Sequence, residues 1–254
     1  MISLYLMQLI VGGVIGIGAG YIGAFMILRR MALVGDALSH VALPGLAVAL
    51  LFGFNPFLGA FTALFIAIVG VWALEKKTNL PSETLIGIFF TTALALGILL
   101  TPQPELLEAL FGDIGHIARL DLYITIPIVA LVIISLKLIS KPLTLSTISK
   151  ELTQSMKVPV NTINFIFLLM VAIIVALGIK VTGTLLMGAL VIIPAAAARN
   201  VALNFSRYTF LSALLGGVAA VAGIAIAHHY NFSPGPLVVL AGGALFLVSL
   251  LFKQ

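Results

Sequence analysis

Long apolar stretches recur along nearly the whole of this 254-residue chain, with little polar sequence between them. Hydrophobic residues make up 62% of the chain and charged residues only 8%, whereas charged residues are about a quarter of a typical soluble domain. A helix that crosses a bilayer needs about 20 mostly apolar residues. The sequence therefore predicts an all-α polytopic membrane protein in which residues 1–254 form a single transmembrane domain.

We predict eight to nine transmembrane helices. The nine candidate segments are 4–28, 36–53, 56–74, 84–101, 122–140, 161–179, 183–198, 208–229 and 237–252. The second and seventh segments are short and contain Pro44 and Pro194, so we expect that either of them can be broken or partly re-entrant. Eight complete crossings are the alternative.

The basic residues predict the orientation of these segments, because Lys and Arg collect in short cytoplasmic loops. If nine segments alternate, all 13 Lys and Arg residues except Arg119 and Lys180 fall on one side. We therefore expect the N-terminus outside and the C-terminus inside. The formal net charge of +5 then reflects orientation and contact with lipid headgroups, and we expect no nucleic-acid partner.

The motif GDALSH, Gly35 to His40, places an aspartate and a histidine within an apolar stretch. Asp36 and His40 are four positions apart in the sequence. In a helix they therefore lie on one face about one turn apart, and both can reach one ion. Ionisable residues are costly inside a membrane and mark ion paths. Carboxylate and imidazole ligands suit Zn, Mn or Fe better than Cu(I).

A structural alternative exists for the aspartate. Gly35 can end the first helix and Asp36 can cap the second, within reach of Arg29 or Arg30. His40, about 6 Å deeper along the helix, would still need a partner. Capping therefore explains one residue of the pair and not both.

Two polar stretches are candidate surfaces for partner proteins. Residues 101–121 are unusually acidic, and we interpret them as an external interfacial helix on which another protein docks. The candidate docking residues are Glu105, Glu108, Asp113 and His116. Residues 149–161 form the main cytoplasmic polar segment, in which 151–157 can form a short surface helix before Pro159, or simply a solvated loop.

Several chemistries are missing from the sequence. There is no cysteine, so thiolate metal sites are excluded. There is no Gly-Lys dipeptide and hence no P-loop, and neither HExxH nor GxSxG occurs. An enzyme is the poorer interpretation, which leaves transport of an ion or sensing of an ion without transport.

Several blocks of this sequence resemble the permease subunits of zinc and manganese ABC importers, and the resemblance covers nearly the whole chain. The most distinctive block is LRRMALVGDALSHVALPGLAVAL, Leu28 to Leu50. ETLIGIFF, LFGDI, GIKVTGTLLMGALVIIPAAAAR from Gly178 and SPGPLVVL from Ser233 follow in the expected order.

The resemblance implies a homodimeric permease in a bacterial inner membrane, with two cytoplasmic ATPase subunits and an extracytoplasmic metal-binding protein as partners. It implies that Asp36 and His40 coordinate or pass the metal. It also implies that the cytoplasmic segment docks in a groove of the ATPase, through Glu151, Leu152, Ser155, Met156, Lys157 and Val158. Lys157 stands where a glycine is common in this family.

These expectations define a mechanism. The chain forms a passage by alternating access and performs no chemical step itself, and Asp36 and His40 from each protomer of a two-fold dimer provide four ligands. Zn2+ is the first expected substrate and Mn2+ the next, with no permanently bound cofactor. The alternatives are a proton-coupled secondary metal carrier and a permease specific for manganese or iron.

Overall fold

The computed structural model describes residues 3–78, 80–100, 110, 117, 119–149, 153 and 155–252. The regular elements among these residues are nine α-helices and no strands, so the prediction of an all-α protein is confirmed. The helices are α1 (Leu4–Leu28), α2 (Ala32–Val41), α3 (Leu43–Phe52), α4 (Pro56–Thr78), α5 (Ser82–Leu100), α6 (Arg119–Ile148), α7 (Val160–Val201), α8 (Phe205–Tyr230) and α9 (Pro234–Leu250).

Seven helical segments in the described part of the chain are long and apolar enough to cross a membrane. They are Leu4–Leu28, Ala32–Phe52, Pro56–Thr78, Ser82–Leu100, Arg119–Ile148, Val160–Thr184 and Phe205–Tyr230. Two shorter apolar helices, Leu186–Val201 and Pro234–Leu250, correspond to the seventh and ninth predicted segments. The number of complete crossings and the orientation of the termini stay predictions.

The second predicted segment, 36–53, is broken, as its proline suggested. It starts earlier than predicted, at Ala32, and divides at Ala42 into α2 and α3. Pro44 lies in the first turn of α3. Backbone N–H groups in the first turn have no partner within the helix, so the missing N–H of proline costs no helical hydrogen bond there. Gly53 ends α3 with φ 68°, in the left-handed region that glycine adopts without strain. α2 and α3 are therefore two short helices of one apolar segment, with a local interruption at Ala42, which keeps helical dihedral angles.

The sixth and seventh predicted segments are joined in α7 through a break at Gly183. This glycine has φ 73° and ψ 176°, a conformation closed to other residues. Contacts with α1 show the direction of the two halves of α7. In the first half, Ile174 lies near Gly18 and Val181 near Gly12, so this half runs toward the start of α1. In the second half, Val191 lies near Gly23, closer to the end of α1. After Gly183 the chain therefore turns back along α1.

α1 occupies the centre of the bundle and is packed closely through its glycines. A methyl group at Gly16 would meet the backbone of Gly216 in α8, and one at Gly20 would meet the backbone of Ser212. The Ser212 hydroxyl donates a hydrogen bond to the Gly20 carbonyl. Small residues allow this approach, which is the usual basis of helix association in membranes. α1, α7 and α8 thus form a closely packed frame, and α2 packs mainly against α7 and α5.

Candidate metal site

The Asp36 and His40 side chains lie on α2, where the helical backbone places them one turn apart, as predicted. Asp36 is half-buried, whereas His40 is only 8% exposed. The carboxylate of Asp36 is close enough to interact electrostatically with the His40 ring. The pair is therefore oriented toward the interior of the bundle.

The alternative in which Asp36 caps the helix is wrong. α1 ends at Leu28 rather than at Gly35, and α2 begins at Ala32 with Met31 as a cap that makes no side-chain hydrogen bond. Asp36 thus lies one turn inside the helix, past the free N–H groups of the first turn. Its position within an apolar environment consequently needs a reason other than capping.

α2 packs tightly against the second half of α7 at the level of the aspartate. A methyl group at Gly188 would lie 2.6 Å from Cβ and 2.7 Å from Cα of Asp36. It would also lie 2.7 Å from Oδ1 of the Asp36 carboxylate. Only glycine leaves room for this approach, so Gly188 fixes how close the carboxylate comes to α7.

A hydrogen bond joins α2 to the break in α7. The Ser39 hydroxyl is completely buried, and its Oγ lies 2.6 Å from the carbonyl oxygen of Thr184 and 2.7 Å from that of Asp36. Thr184 directly follows Gly183, so the hydroxyl contacts the backbone where the helix changes direction. Ser39 therefore positions α2, and with it both candidate ligands, on the break.

The His40 imidazole leaves one nitrogen free for a ligand. Its ring packs against Phe90 of α5, with 5.5 Å between the ring centroids. Nδ1 is buried and has no hydrogen-bond partner among the described residues. Buried polar atoms nearly always have a partner, and neutral imidazole is a common metal ligand. The unpartnered nitrogen is therefore a suitable ligand for a metal that passes along α2.

One copy of the chain does not assemble a complete ligand set. Among the residues with described positions, no three His, Cys, Asp or Glu side chains cluster in a way that could hold a metal. Zinc in proteins is usually held by four ligands, or by three and a water molecule. The Asp36 and His40 pair is thus at most part of a site within a single protomer.

The predicted external docking residues, Glu105, Glu108, Asp113 and His116, lie outside the described residues, and so does most of the expected interfacial helix. At its end, Asp121 lies in the first turn of α6 and accepts a hydrogen bond of 2.6 Å from Nζ of Lys180. Both residues were predicted to be on the outer side, which agrees with their contact.

The predicted coupling segment is described in part, since Glu151 and Leu152 lie outside the described residues. Ser155, Met156 and Lys157 are exposed, and the amide of Val158 donates to the Thr153 carbonyl at 3.4 Å. Lys157 has φ 59°, in the left-handed region that favours glycine. The backbone at Lys157 thus has the conformation that a glycine adopts easily and that a lysine adopts only with strain.

Sequence reasoning missed Ser39, Thr184 and Gly188 as parts of the site. Ser39 and Thr184 are 145 residues apart in the chain, so no local pattern relates them. The one available signal was the Thr-Gly-Thr sequence at Thr182 to Thr184, which interrupts an apolar stretch with a glycine between two hydroxyl residues. Such a triplet is typical of a broken membrane helix.

Comparisons with known proteins extend over nearly the whole of this chain. The model of the ABC 3 transport family matches residues 1–253. The manganese import system permease protein ScaB of Streptococcus gordonii is 36% identical over 245 residues, which cover 95% of this chain and 88% of the relative. The high-affinity zinc uptake system membrane protein ZnuB of Haemophilus influenzae is 33% identical over 253 residues, covering 97% and 96%.

A solved structure has the same fold. The PsaBC complex from Streptococcus pneumoniae, determined with a Fab, contains a chain with a TM-score of 0.84 and 32% sequence identity to this one. The match covers 96% of this chain and 90% of that one. The similarity therefore extends over almost the complete bundle and includes the helices that carry the candidate metal site.

Proposed function

This chain belongs to the ABC 3 transport family, and from that premise we propose that it is the permease subunit of an importer that carries Zn2+ or Mn2+ into the cytoplasm. As a metal ABC permease with several apolar helices, it lies in the bacterial inner membrane. It is a transport subunit and not itself an enzyme. Relatives of similar identity are named for manganese and for zinc import, so both ions are candidate substrates.

The observation that carries this proposal is the Asp36 and His40 pair, held by Ser39 against the break in α7 with a buried imidazole nitrogen left unpartnered. In this proposal the pair coordinates the metal as it passes. Two strong ligands from one chain bind a divalent ion moderately, and moderate binding suits transport because an ion that is held too tightly is not released. Asp36 and His40 do not distinguish zinc from manganese.

A homodimer completes the ligand set in this proposal. α5 is the least buried of the long apolar helices, with 17% of its span buried. One face of α5 carries the small residues Thr84, Gly87, Thr91 and Ala95, and a methyl group at Gly87 would meet nothing within 4 Å. Small residues suit close helix contact, and α5 borders His40 through Phe90. We place the contact between protomers on this face.

Energy comes from two separate cytoplasmic ATPase subunits in this proposal. The exposed turn at Met156 and Lys157 belongs to the segment, Glu151 to Val158, that would dock in their groove. An extracytoplasmic metal-binding protein would deliver the ion to the external segment that contains Glu105, Glu108, Asp113 and His116. Alternating access of the permease dimer would then carry the metal inward.

The test is uptake of Zn2+ and Mn2+ by proteoliposomes that contain the full chain with its ATPase subunits, with the extracytoplasmic metal-binding protein supplied on the outer side. We expect ATP-dependent uptake of at least one ion, and its loss in Asp36→Ala and His40→Ala with the dimer still assembled. The matched control is His229→Ala, because His229 is an exposed histidine in the last turn of α8. This variant should retain uptake.

Two outcomes would contradict the proposal. Normal uptake by both Asp36→Ala and His40→Ala would remove the pair from the metal path. Uptake that persists without ATP and stops when the proton gradient is dissipated would favour a secondary carrier instead.

A further inference from the structure

The buried guanidinium of Arg29 lies where the ends of four helices meet, on the side that we predict to be cytoplasmic. Arg29 is the C-cap of α1, and its Cζ lies 5.1 Å from the centre of the Phe167 ring in the first half of α7. Nη1 is buried and, within the described part of the chain, has no hydrogen-bond partner. A buried cation of this kind requires compensating charge.

Two carboxylates from other helices provide that charge. Glu75 near the end of α4 and Glu83 in the first turn of α5 both interact electrostatically with Arg29. Burial lowers the pKa of the Arg29 guanidinium, and the two carboxylates oppose this effect. An arginine side chain remains protonated in proteins in spite of such a shift. The positive charge at the end of α1 thus lies within electrostatic range of carboxylates on α4 and α5.

Asn164 connects the same carboxylate to α7. Its side chain is 7% exposed, and Nδ2 donates a hydrogen bond of 3.0 Å to the Ser82 hydroxyl. Nδ2 also lies 3.5 Å from Oε2 of Glu75. The Asn164 Oδ1 is buried with no hydrogen-bond partner among the described residues. We call Arg29, Glu75, Ser82, Glu83 and Asn164 the Arg29 network.

The Arg29 network lies between the two functional parts of the molecule. Asn164 follows the predicted coupling segment, which ends at Val158, by six residues. Arg29 precedes the start of α2 at Ala32 by three residues. The remaining link is α5, whose Phe90 contacts the His40 ring. Along the chain and through these contacts, the network therefore lies between the predicted coupling segment and the candidate metal ligands.

Two buried atoms of the network are unpartnered, one a donor and the other an acceptor. Arg29 Nη1 and Asn164 Oδ1 each lack a hydrogen bond among the described residues, and both groups adjoin Glu75. A buried polar atom without a partner is costly, so the network gives up stability that a fully bonded arrangement would keep. Elements with two discrete arrangements transmit conformational change, and an incompletely bonded network is suited to that role.

We propose that Arg29 is a positioning residue for transport: its charge holds the ends of α1, α4, α5 and α7 together, so that displacement of the coupling segment by the ATPase subunits moves α2 and its metal ligands. This inference rests on the proposed function. A passive structural role would instead fix the four helix ends in one arrangement and contribute only to stability.

The experiment compares Arg29→Gln with the wild type, using the full chain assembled with its ATPase subunits in proteoliposomes and the extracytoplasmic metal-binding protein supplied outside. ATP hydrolysis and uptake of Zn2+ and Mn2+ are measured in the same preparation, and binding of the same ions is measured in detergent. We expect the ratio of uptake to hydrolysis to fall about tenfold in Arg29→Gln while metal binding is retained.

Two matched variants define the origin of the effect. Arg29→Lys keeps the charge and loses only the planar donor group, so we expect it to recover the ratio to within about threefold of the wild type. Arg30→Gln removes the neighbouring charge, which is exposed, and we expect it to leave the ratio unchanged. If Arg29→Gln does not assemble, Glu75→Gln removes one partner of Arg29, and we expect the same change in the ratio.

The outcomes separate this inference from the function on which it rests. A wild-type ratio in Arg29→Gln, or in Glu75→Gln where the first variant does not assemble, would overturn the role of Arg29. Loss of metal binding, hydrolysis and uptake in equal proportion would also overturn it, because that is the result of a purely structural role. Absence of ATP-dependent uptake in the wild type would refute the proposed function itself.

Discussion

Replacement of Gly188 by alanine tests whether the close packing of α2 on α7 controls the metal site. The added methyl group would lie 2.6 Å from the Asp36 Cβ and 2.7 Å from its Cα. Neither atom can move by rotation of a side chain, because both are fixed by the backbone of α2. The two helices must therefore separate by about 1 Å to restore ordinary van der Waals contact.

The expected magnitude follows from this geometry. Inserting a methyl group into a well-packed interface costs about 1–3 kcal/mol. If metal binding requires the packed position of α2, this cost appears in the affinity for metal as a reduction of roughly 5- to 150-fold. We expect uptake to fall within the same range, and the hydrogen bond from Ser39 to Thr184 to weaken as the helices separate.

The assay is calorimetric titration of the purified chain with Zn2+ and Mn2+, together with its thermal unfolding in detergent. Gly243→Ala in α9 is the matched control, since a methyl group there would meet nothing within 4 Å. That variant should bind metal normally and be more stable by about 0.4–1 kcal/mol. Wild-type affinity and uptake in Gly188→Ala would refute the reasoning.

Two further substitutions follow from the backbone at Lys157 and the hydroxyl of Ser39. Lys157→Gly should raise the thermal midpoint by about 2–4 °C, because it removes roughly 1 kcal/mol of left-handed strain, whereas Lys157→Ala should give no gain. Ser39→Ala should lower the free energy of unfolding by about 1 kcal/mol, because it removes the hydrogen bond to the Thr184 carbonyl. A thermal midpoint equal to that of the wild type would show that this hydrogen bond does not contribute to stability.

The parts of the fold that were predictable are those set by local sequence. The first helix, Leu4–Leu28, coincides with its predicted segment, because a continuous apolar run marks its own ends. The break near Pro44 followed from the missing N–H of proline, and the alignment of Asp36 with His40 followed from helical periodicity. Each of these features depends on residues that are neighbours in the sequence.

Features set by contacts between distant segments were not predictable. Gly183 was one of 24 glycines, and the hydroxyl residues on either side of it were the one local sign of its break. The capping alternative expected Asp36 within reach of Arg29 or Arg30, yet the carboxylates that act on the Arg29 guanidinium are Glu75 and Glu83 on α4 and α5. The packing of α2 on the second half of α7 and the surroundings of Arg29 are both properties of the assembled bundle.

The buried nitrogen of His40 carries a cost that the proposed function explains. A buried imidazole nitrogen without a partner costs about 1–3 kcal/mol, and His40 Nδ1 has no hydrogen-bond partner among the described residues. The hydroxyl of the preceding residue, Ser39, is instead committed to the backbone of α7. In the proposed function, Ser39 holds α2 against α7 while His40 stays available to bind, and a transient ligand for a moving ion needs this combination.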